Sequence, residues 1–233
     1  MVPNARQKER EQGHPIAVFD YDGTCINGQS GSLIATWLML HGYLSPRSVV
    51  GLAWWGICYK LHLPHRQERA RELIFGDLGN RPPEEVDRIL VEFHDKILVP
   101  RYRKEAIDEI ERRKQEGCIT LLVSATFEVI AREAAKILGV DGFAATKMER
   151  DALGYYTGRV EGDVTEGKSK VDTAMTLATT CAKDHPWYLA YAYGDHHSDE
   201  ELLAAAEHPF VVCPGPTLKR MAHRNGWPII DWR

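Results

Sequence analysis

The stretch Ile16-Ala17-Val18-Phe19-Asp20-Tyr21-Asp22-Gly23-Thr24 joins four apolar residues to a short acidic loop. An apolar run without polar alternation is typical of a strand that is buried on both faces, as in a parallel sheet. Asp and Gly directly after the run are typical of a loop. The stretch therefore predicts a central strand that ends in a loop with two carboxylates, Asp20 and Asp22.

The same pattern, an apolar run that stops at a polar loop, occurs three more times. These runs are Cys118–Val123 before Ser124, Trp187–Tyr193 before Gly194-Asp195, and Phe210–Cys213 before Pro214-Gly215. Helix-like stretches lie between or after them, at residues 101–116, 127–138, 169–181 and 198–206, and residues 143–162 have the pattern of a β-hairpin. Alternating strands and helices need crossover connections, which favour a parallel sheet covered on both faces. We therefore expect an α/β fold with a three-layer Rossmann-like core.

Residues 30–100 interrupt this alternation, because they read as helices at 30–42, 46–61, 65–75 and 82–97 with no buried-strand pattern. We interpret them as an all-helical cap that is inserted after the first strand. The expected division is then an N-terminal tail at 1–14, a catalytic core formed by 15–29 and 101–233, and the cap at 30–100.

Composition and charge exclude several classes of protein. The chain of 233 residues is 44% hydrophobic and 27% charged, with a net charge of −4, so it is unlike a disordered chain or a protein that coats nucleic acid. Five scattered cysteines without a C-x-x-C pair argue against a zinc site or a disulfide framework. No signal-peptide pattern is present, and the most apolar run, residues 49–59, is shorter than the roughly 20 residues that span a bilayer. We expect a cytoplasmic protein without stable membrane insertion.

Polar residues follow the predicted strands at the edge where parallel sheets bind ligands. These residues are Asp20, Asp22, Ser124, Asp195 and Asp199. Carboxylates that are close together repel one another unless a cation is present, and oxygen ligands without His or Cys favour Mg²⁺. Acidic turns and helix N-termini, with Ser124 as an N-cap, would explain the same residues without a site. Their occurrence after successive strands favours the site.

These motifs resemble, in order, those of the haloacid dehalogenase superfamily, in the subgroup that contains phosphoserine phosphatase. Residues 20–24 match D-x-D-G-T, Ser124 ends a strand, Lys168 or Lys170 begins a helix, and residues 194–199 are similar to G-D-x-x-x-D. The resemblance extends from about residue 15 to the end of the chain. For the lysine we prefer Lys168, because residues 166–168 read Glu-Gly-Lys as in similar sequences.

The resemblance implies a magnesium-dependent phosphate monoester hydrolase that forms an aspartyl-phosphate. Its implied catalytic residues are Asp20 as nucleophile, Asp22 as general acid and base, and Ser124 and Lys168 on the phosphoryl oxygens. Its implied metal ligands are Asp20, Asp22, Asp195 and Asp199. Its implied substrate-binding residues are Thr24, Gln29, Ala125 and Lys170. The partner is then a small-molecule phosphate ester, not a nucleic acid.

The substrate is less well defined. Phosphoserine phosphatases carry a glutamate nine residues after the nucleophile, where this chain has Gln29, and a neutral amide cannot replace that charge. The apolar residues 49–59 raise a second hypothesis, a pocket for a lipid phosphate such as the substrate of phosphatidylglycerophosphate phosphatases. A phosphotransferase and a non-catalytic phosphate-binding module are further alternatives.

Three other features of the sequence favour structural roles. We expect Trp54-Trp55 to pack in the core of the cap and the arginines Arg66, Arg69 and Arg71 to form a solvated face. Adjacent histidines rarely bind one ion, so we assign neither His196 nor His197 to the site.

Overall fold

A computed structural model of the protein describes residues 13–61, 63, 66, 68–162, 164–183 and 185–232. Most of the predicted N-terminal tail, residues 1–12, lies outside this part. The strands among these described residues are β1 His14–Phe19, β2 Ile119–Phe127, β3 Gly142–Arg150, β4 Tyr156–Glu161, β5 Trp187–Gly194, β6 His208–Val212 and β7 Ile229–Ile230. They form a sheet in the order β4-β3-β2-β1-β5-β6-β7, in which β4 is antiparallel to β3 and the other pairs are parallel.

The α-helices surround this sheet and form the segment between β1 and β2. They are α1 Ser30–Leu40, α2 Pro46–Lys60, α3 Arg69–Leu78, α4 Pro83–Phe93, α5 Lys104–Gln115, α6 Glu128–Leu138, α7 Lys168–Cys181, α8 Glu200–Ala205 and α9 Pro216–Asn225. After α4 the chain continues as a π-helical turn, His94–Leu98, and a 3₁₀ turn, Val99–Arg101. Within the described residues, no helix is long and apolar enough to cross a membrane.

Strand β1 lies at the centre of the three layers, and its side chains alternate between two hydrophobic cores. Ala17 and Phe19 belong to the core that α5 and α6 cover, whereas Ile16 and Val18 belong to the core that α7, α8 and α9 cover. This arrangement explains the continuous apolar run, because both faces of the strand are buried. The expected α/β fold with a parallel central sheet is confirmed.

The structure differs from the sequence prediction at the edges of the sheet. Strand β2 continues past Ser124 to Phe127, because β3 pairs with it beyond that point. The predicted hairpin is present, but its first strand also pairs in parallel with β2, so the hairpin extends the sheet. Helix α9 and strand β7 were not predicted, since residues 216–230 have no long apolar run.

The cap segment, residues 30–100, is joined to the core by two adjacent linkers. The amide of Asn27 donates to the carbonyl of Arg101 at 2.8 Å, and the amide of Arg103 donates to the carbonyl of Cys25 at 2.9 Å. The cap segment also packs on the core through Phe75 of α3, whose ring centroid lies 4.7 Å from that of Phe127. These contacts hold the inserted helices over the carboxyl ends of β1 and β2.

Candidate active site

Three carboxylates converge at the carboxyl ends of β1 and β5. Asp20 directly follows β1, Asp195 directly follows β5, and Asp199 ends the short 3₁₀ turn His197–Asp199. One oxygen atom from each of the three carboxylates lies within 4.8 Å of the other two. The adjacency of β1 and β5 in the sheet brings these distant residues together.

Lys170, in the first turn of α7, lies among these carboxylates. Its Nζ donates to Asp199 Oδ1 at 2.6 Å and to Asp20 Oδ1, and its side chain is buried. Lys168, which we preferred from the sequence, is exposed and borders a surface groove with Asp172. That preference is corrected, because residues two apart point to nearly opposite sides of a helix, and Lys170 is on the side that faces the acids.

Two glycines allow the acidic loops to approach this closely. Gly23 has a φ of +76°, and a Cβ there would lie 1.9 Å from Asp195 Oδ2. At Gly194, a Cβ would lie 2.7 Å from Asp199 Oδ2. A side chain at either position would displace a carboxylate, so the glycines of both motifs are steric requirements of the cluster.

Asp22 is held at the N-terminus of helix α1. Its carboxylate accepts hydrogen bonds from the Ser30 amide at 2.6 Å and from the Ser30 hydroxyl at 2.8 Å. The Ser30 hydroxyl also lies 2.8 Å from Thr126 Oγ1, near the end of β2. The N-terminus of a helix favours a carboxylate. The first helix of the cap segment therefore positions an acid of the core.

The end of β2 supplies polar groups next to the acids. Ser124 is buried, and its Oγ accepts a hydrogen bond from the Thr126 amide at 3.1 Å. Ala125 turns its carbonyl towards the cap segment, where Arg71 Nη2 donates to it at 2.8 Å. Arg71 thus bridges the cap segment and the core, and the expectation of a solvated face is wrong for this arginine.

A cavity of about 770 Å³ opens above the carboxylates. Its polar end is lined by Asp20, Asp22, Ser30, Arg71, Ser124, Ala125, Thr126, Glu166, Lys170, Asp195, His196 and Asp199. Its other walls are largely apolar and come from the cap segment, namely Ile34, Ala35, Met39, Leu44, Val49, Leu52, Ala53, Trp55, Gly56 and Ile74. The cavity therefore has a charged end in the core and an apolar end under α1 and α2.

The remaining sequence assignments divide between the cavity and its surroundings. Gln29 lines the cavity. Thr24 is fully buried and does not line it, because the chain turns back after Gly23, so its assignment to substrate binding is corrected. Trp55 lines the cavity and Trp54 is 64% exposed, so the expectation that both pack in the core is wrong.

Several residues that border the cavity were not identified from the sequence. Ser30, Thr126 and Arg71 reach the site from elements that only the tertiary structure brings together. One signal for Ser30 was available, because a serine at the predicted start of a helix has free amides beside it. His196 also lines the cavity, and burial lowers its pKa.

Burial and mutual repulsion raise the pKa values of two acids of the cluster, Asp20 and Asp195. Burial, together with the charges of Asp199 and Asp22, raises the pKa of Asp20 to about 7. Burial and the charges of Asp20 and Asp199 raise the pKa of Asp195 to about 9. Although burial alone would lower it, the pKa of Lys170 is raised by Asp199 and Asp20. The cluster holds more negative charge than one ammonium group neutralises.

The donor set fits a hard divalent cation. All three clustered ligands are carboxylates, and no His or Cys belongs to the cluster among the described residues. Mg²⁺ prefers such oxygen ligands and usually binds through one or two carboxylates and a phosphate oxygen. The adjacent cavity has room for the phosphate ester that would supply that oxygen.

Comparison with known proteins agrees with this arrangement. A family model described as haloacid dehalogenase-like hydrolase matches residues 17–204. A Mycobacterium tuberculosis protein named as a probable phosphatase is 29% identical over 218 residues, which cover 93% of this chain and 75% of that protein.

Two solved structures illustrate which proteins have a similar fold. A Bordetella pertussis protein of unknown function has a TM-score of 0.80 and 28% identity, over 94% of this chain and 98% of its own. A phosphoserine phosphatase with a phospho-aspartyl intermediate analogue has a TM-score of 0.62 and 19% identity, over 89% of this chain and 90% of its own. The second likeness shows the shared fold.

The contrast between the two lysines predicts unequal effects of the same substitution. Lys170→Met should lower kcat/KM for a phosphate monoester by about 100- to 1,000-fold, the usual effect of removing one group that stabilises developing charge. Lys168→Met should change it by less than about twofold, since an exposed side chain outside the cavity contributes little. Thermal unfolding of both variants controls for misfolding. Equal losses in the two variants would contradict the placement of Lys170.

The raised pKa values predict that Mg²⁺ stabilises the protein more at high pH. A carboxyl whose pKa is higher in the folded protein than its ordinary value of 3.8 stabilises the fold at low pH, and this contribution is lost as the pH rises through about 7 for Asp20 and about 9 for Asp195. In EDTA, the free energy of unfolding should therefore fall between pH 6 and pH 9.

Urea unfolding at several pH values, with EDTA or with MgCl₂, measures this effect. The difference between the two series should grow with pH, because the cation replaces protons on the cluster. Asp195→Asn should make the fall in EDTA shallower, since it removes the acid with the higher pKa. A difference that does not change with pH would contradict the raised pKa values.

Proposed function

The chain belongs to the haloacid dehalogenase-like hydrolase family, and we propose on that basis that it is a phosphatase that hydrolyses phosphate monoesters with Mg²⁺. The observation that carries this proposal is the cluster of Asp20, Asp195 and Asp199 around Lys170 at the closed end of a cavity. Carboxylates that bind a cation, a buried ammonium group and a serine hydroxyl suit a phosphoryl group better than a neutral substrate.

Asp20 is the nucleophile in the proposed reaction. Its carboxylate lies at the floor of the cavity, beside the ammonium group of Lys170. One carboxylate oxygen attacks phosphorus in line with the ester bond, which forms an acyl phosphate while the alcohol leaves. Lys170 and Ser124 bind the phosphoryl oxygens, and the buried position of both side chains keeps them oriented.

Asp22 is the proposed general acid. Burial raises its pKa, although hydrogen bonds from Ser30 act in the opposite direction, and a raised pKa suits a carboxyl that donates a proton to the leaving alcohol. After the alcohol leaves, the same carboxylate accepts a proton from the water that attacks phosphorus, which releases phosphate and restores Asp20. Ser30 holds the Asp22 side chain throughout both steps.

Mg²⁺ would be held by Asp20 and Asp195, with Asp199 supporting and the backbone carbonyl of Asp22 as a further ligand. When it is bound, the cation neutralises charge on the phosphoryl group and on the nucleophile. Asp199 accepts a hydrogen bond from the His196 amide at 3.2 Å, which orients the carboxylate beside Lys170.

The alternative to an enzyme is a non-catalytic phosphate-binding module. An assay of phosphate ester hydrolysis distinguishes the two. The protein should hydrolyse p-nitrophenyl phosphate with MgCl₂ and lose this activity in EDTA. Asp20→Asn should abolish hydrolysis, because an amide cannot act as the nucleophile, and it should retain the fold because the two side chains have the same shape. Circular dichroism serves as the control. Binding of phosphate without hydrolysis of any ester by the wild-type protein would favour the binding module.

The leaving group that the cavity accommodates defines the substrate class. The phosphate group of a small-molecule monoester would interact with the polar residues that line the cavity. Gln29 lines the cavity, and its neutral amide gives no support for a substrate that carries an ammonium group at that point. The phosphoserine assignment is therefore not part of the proposal.

The apolar walls of the cavity favour a second candidate, the phosphate monoester of a lipid. Ile34 of α1, Leu52 of α2 and Ile74 of α3 are among the apolar residues that line the cavity. A soluble polar metabolite would leave this surface without a partner, whereas an acyl chain would cover it. Each methylene group that an acyl chain buries contributes about 0.8 kcal/mol.

Two substrates that differ only in an acyl chain test the second candidate. Glycerol 3-phosphate and its 1-acyl derivative present the same phosphate ester to the acids. If the apolar walls bind the acyl chain, kcat/KM should be at least about tenfold higher for the acylated substrate than for glycerol 3-phosphate. Leu52→Gln should reduce this difference between the two substrates. The rate with p-nitrophenyl phosphate is the internal reference. Equal kcat/KM values for the two substrates would exclude the lipid phosphate and leave the small-molecule ester.

A further inference from the structure

Helix α2 carries a line of large apolar side chains that are exposed to solvent. Val50, Trp54, Ile57 and Leu61, which directly follows the helix, are 70%, 64%, 48% and 63% exposed. The spacing i, i+4, i+7 and i+11 places them on one side of the helix. We call these four residues the outer stripe of α2. A contiguous apolar surface of this kind is unusual on a protein that has no partner for it.

The outer stripe lies next to the apolar end of the cavity. Val49, Leu52 and Gly56, on another face of α2, line the cavity. Met39 at the end of α1 also lines the cavity and is 43% exposed, so the apolar wall reaches the surface there. Helix α2 therefore separates an apolar binding cavity from an apolar outer surface.

The same part of the chain carries a local positive charge. Residues 23–67 contain three basic residues, Arg47, Lys60 and Arg66, whereas all 33 acidic residues of this chain of net charge −4 lie outside that range. Arg47 is exposed in the first turn of α2. Arg66 is also exposed, although it forms an ion pair with Glu72 at 2.9 Å. Helix α3 and the residue before it add Glu68, Glu72 and Asp77, so over residues 23–77 five basic residues exceed three acidic ones, and this part of the chain has a net positive charge on an otherwise acidic protein.

We propose that the outer stripe of α2 docks the protein on an anionic phospholipid bilayer. Apolar side chains that include a tryptophan enter the boundary between headgroups and acyl chains, and flanking basic residues attract the anionic headgroups. A lipid that leaves the bilayer at this point meets the apolar wall of the cavity directly. The docking goes beyond the proposed hydrolysis and does not require it.

The charge of the segment favours a bilayer over a second copy of the chain. In a symmetric dimer each surface contacts the same surface of its partner, so two segments of net positive charge would face each other. Like charges at such a contact are unfavourable. An anionic bilayer provides both the opposite charge and an apolar layer that the side chains of the outer stripe can enter.

Sedimentation of the protein (residues 1–233) with vesicles tests the proposal. The wild-type protein should bind vesicles of phosphatidylcholine mixed with phosphatidylglycerol, bind phosphatidylcholine alone more weakly, and bind less at high salt because screening weakens the attraction. Trp54→Gln combined with Ile57→Gln should lower the partition coefficient for mixed vesicles at least about tenfold.

Ile137→Gln is the matched control, since Ile137 on α6 is 40% exposed and is not part of the outer stripe of α2. It should bind vesicles like the wild-type protein. The stripe variant should hydrolyse p-nitrophenyl phosphate at the wild-type rate, because neither substituted residue lines the cavity. Asp20→Asn should still bind vesicles, which separates docking from catalysis.

Three results would overturn the proposal. The first is a wild-type protein that does not sediment with anionic vesicles. The second is a stripe variant that binds them as well as the wild-type protein does. The third is a dimer in analytical ultracentrifugation that the stripe substitutions dissociate, without vesicle binding, which would identify a second copy of the chain as the occupant.

Discussion

Charge balance at the floor of the cavity is the constraint on which the rest of the structure depends. Three carboxylates, Asp20, Asp195 and Asp199, are held together with one buried ammonium group. Bringing carboxylates out of water and close to one another is unfavourable unless positive charge compensates it. The fold supplies only part of this charge through Lys170. The excess of negative charge would favour the binding of a cation, and a bound cation would in turn attract the anionic phosphoryl group.

The core of the fold and the acids of the site could be predicted from the sequence because they follow local rules. A continuous apolar run predicts a strand that is buried on both faces, and the polar residues after successive parallel strands must meet at one edge of the sheet. This rule places Asp20 and Asp195, whereas Ser124 lies within β2, three residues before its end. The boundaries of β2 and the role of the hairpin could not be predicted, because they depend on pairing between strands that are distant in sequence.

The errors at the site have a common physical origin. The choice between Lys168 and Lys170 depends on how α7 is rotated about its axis. Residues that are two positions apart in a helix point to nearly opposite sides, so only one of these lysines can face the acids. Thr24 turns away because Gly23 adopts a left-handed conformation, which local composition does not reveal. Arg71 reaches the cavity because α3 packs over the end of β2. A motif identifies residue types in order, whereas the orientation of each side chain depends on tertiary packing.

The cap segment shows why apolar periodicity alone does not indicate core packing. The sequence of α2 is apolar around most of its circumference, which normally indicates a helix that is buried on all sides. In this protein one face of α2 borders the cavity and another faces solvent. Fully burying one large apolar side chain stabilises by about 1.5–3 kcal/mol, so covering the exposed parts of four such side chains represents several kcal/mol, a substantial fraction of the stability of a domain. An acyl chain inside the cavity and a bilayer outside it have the same chemistry, and together they would cover both faces of a helix that the protein itself leaves uncovered.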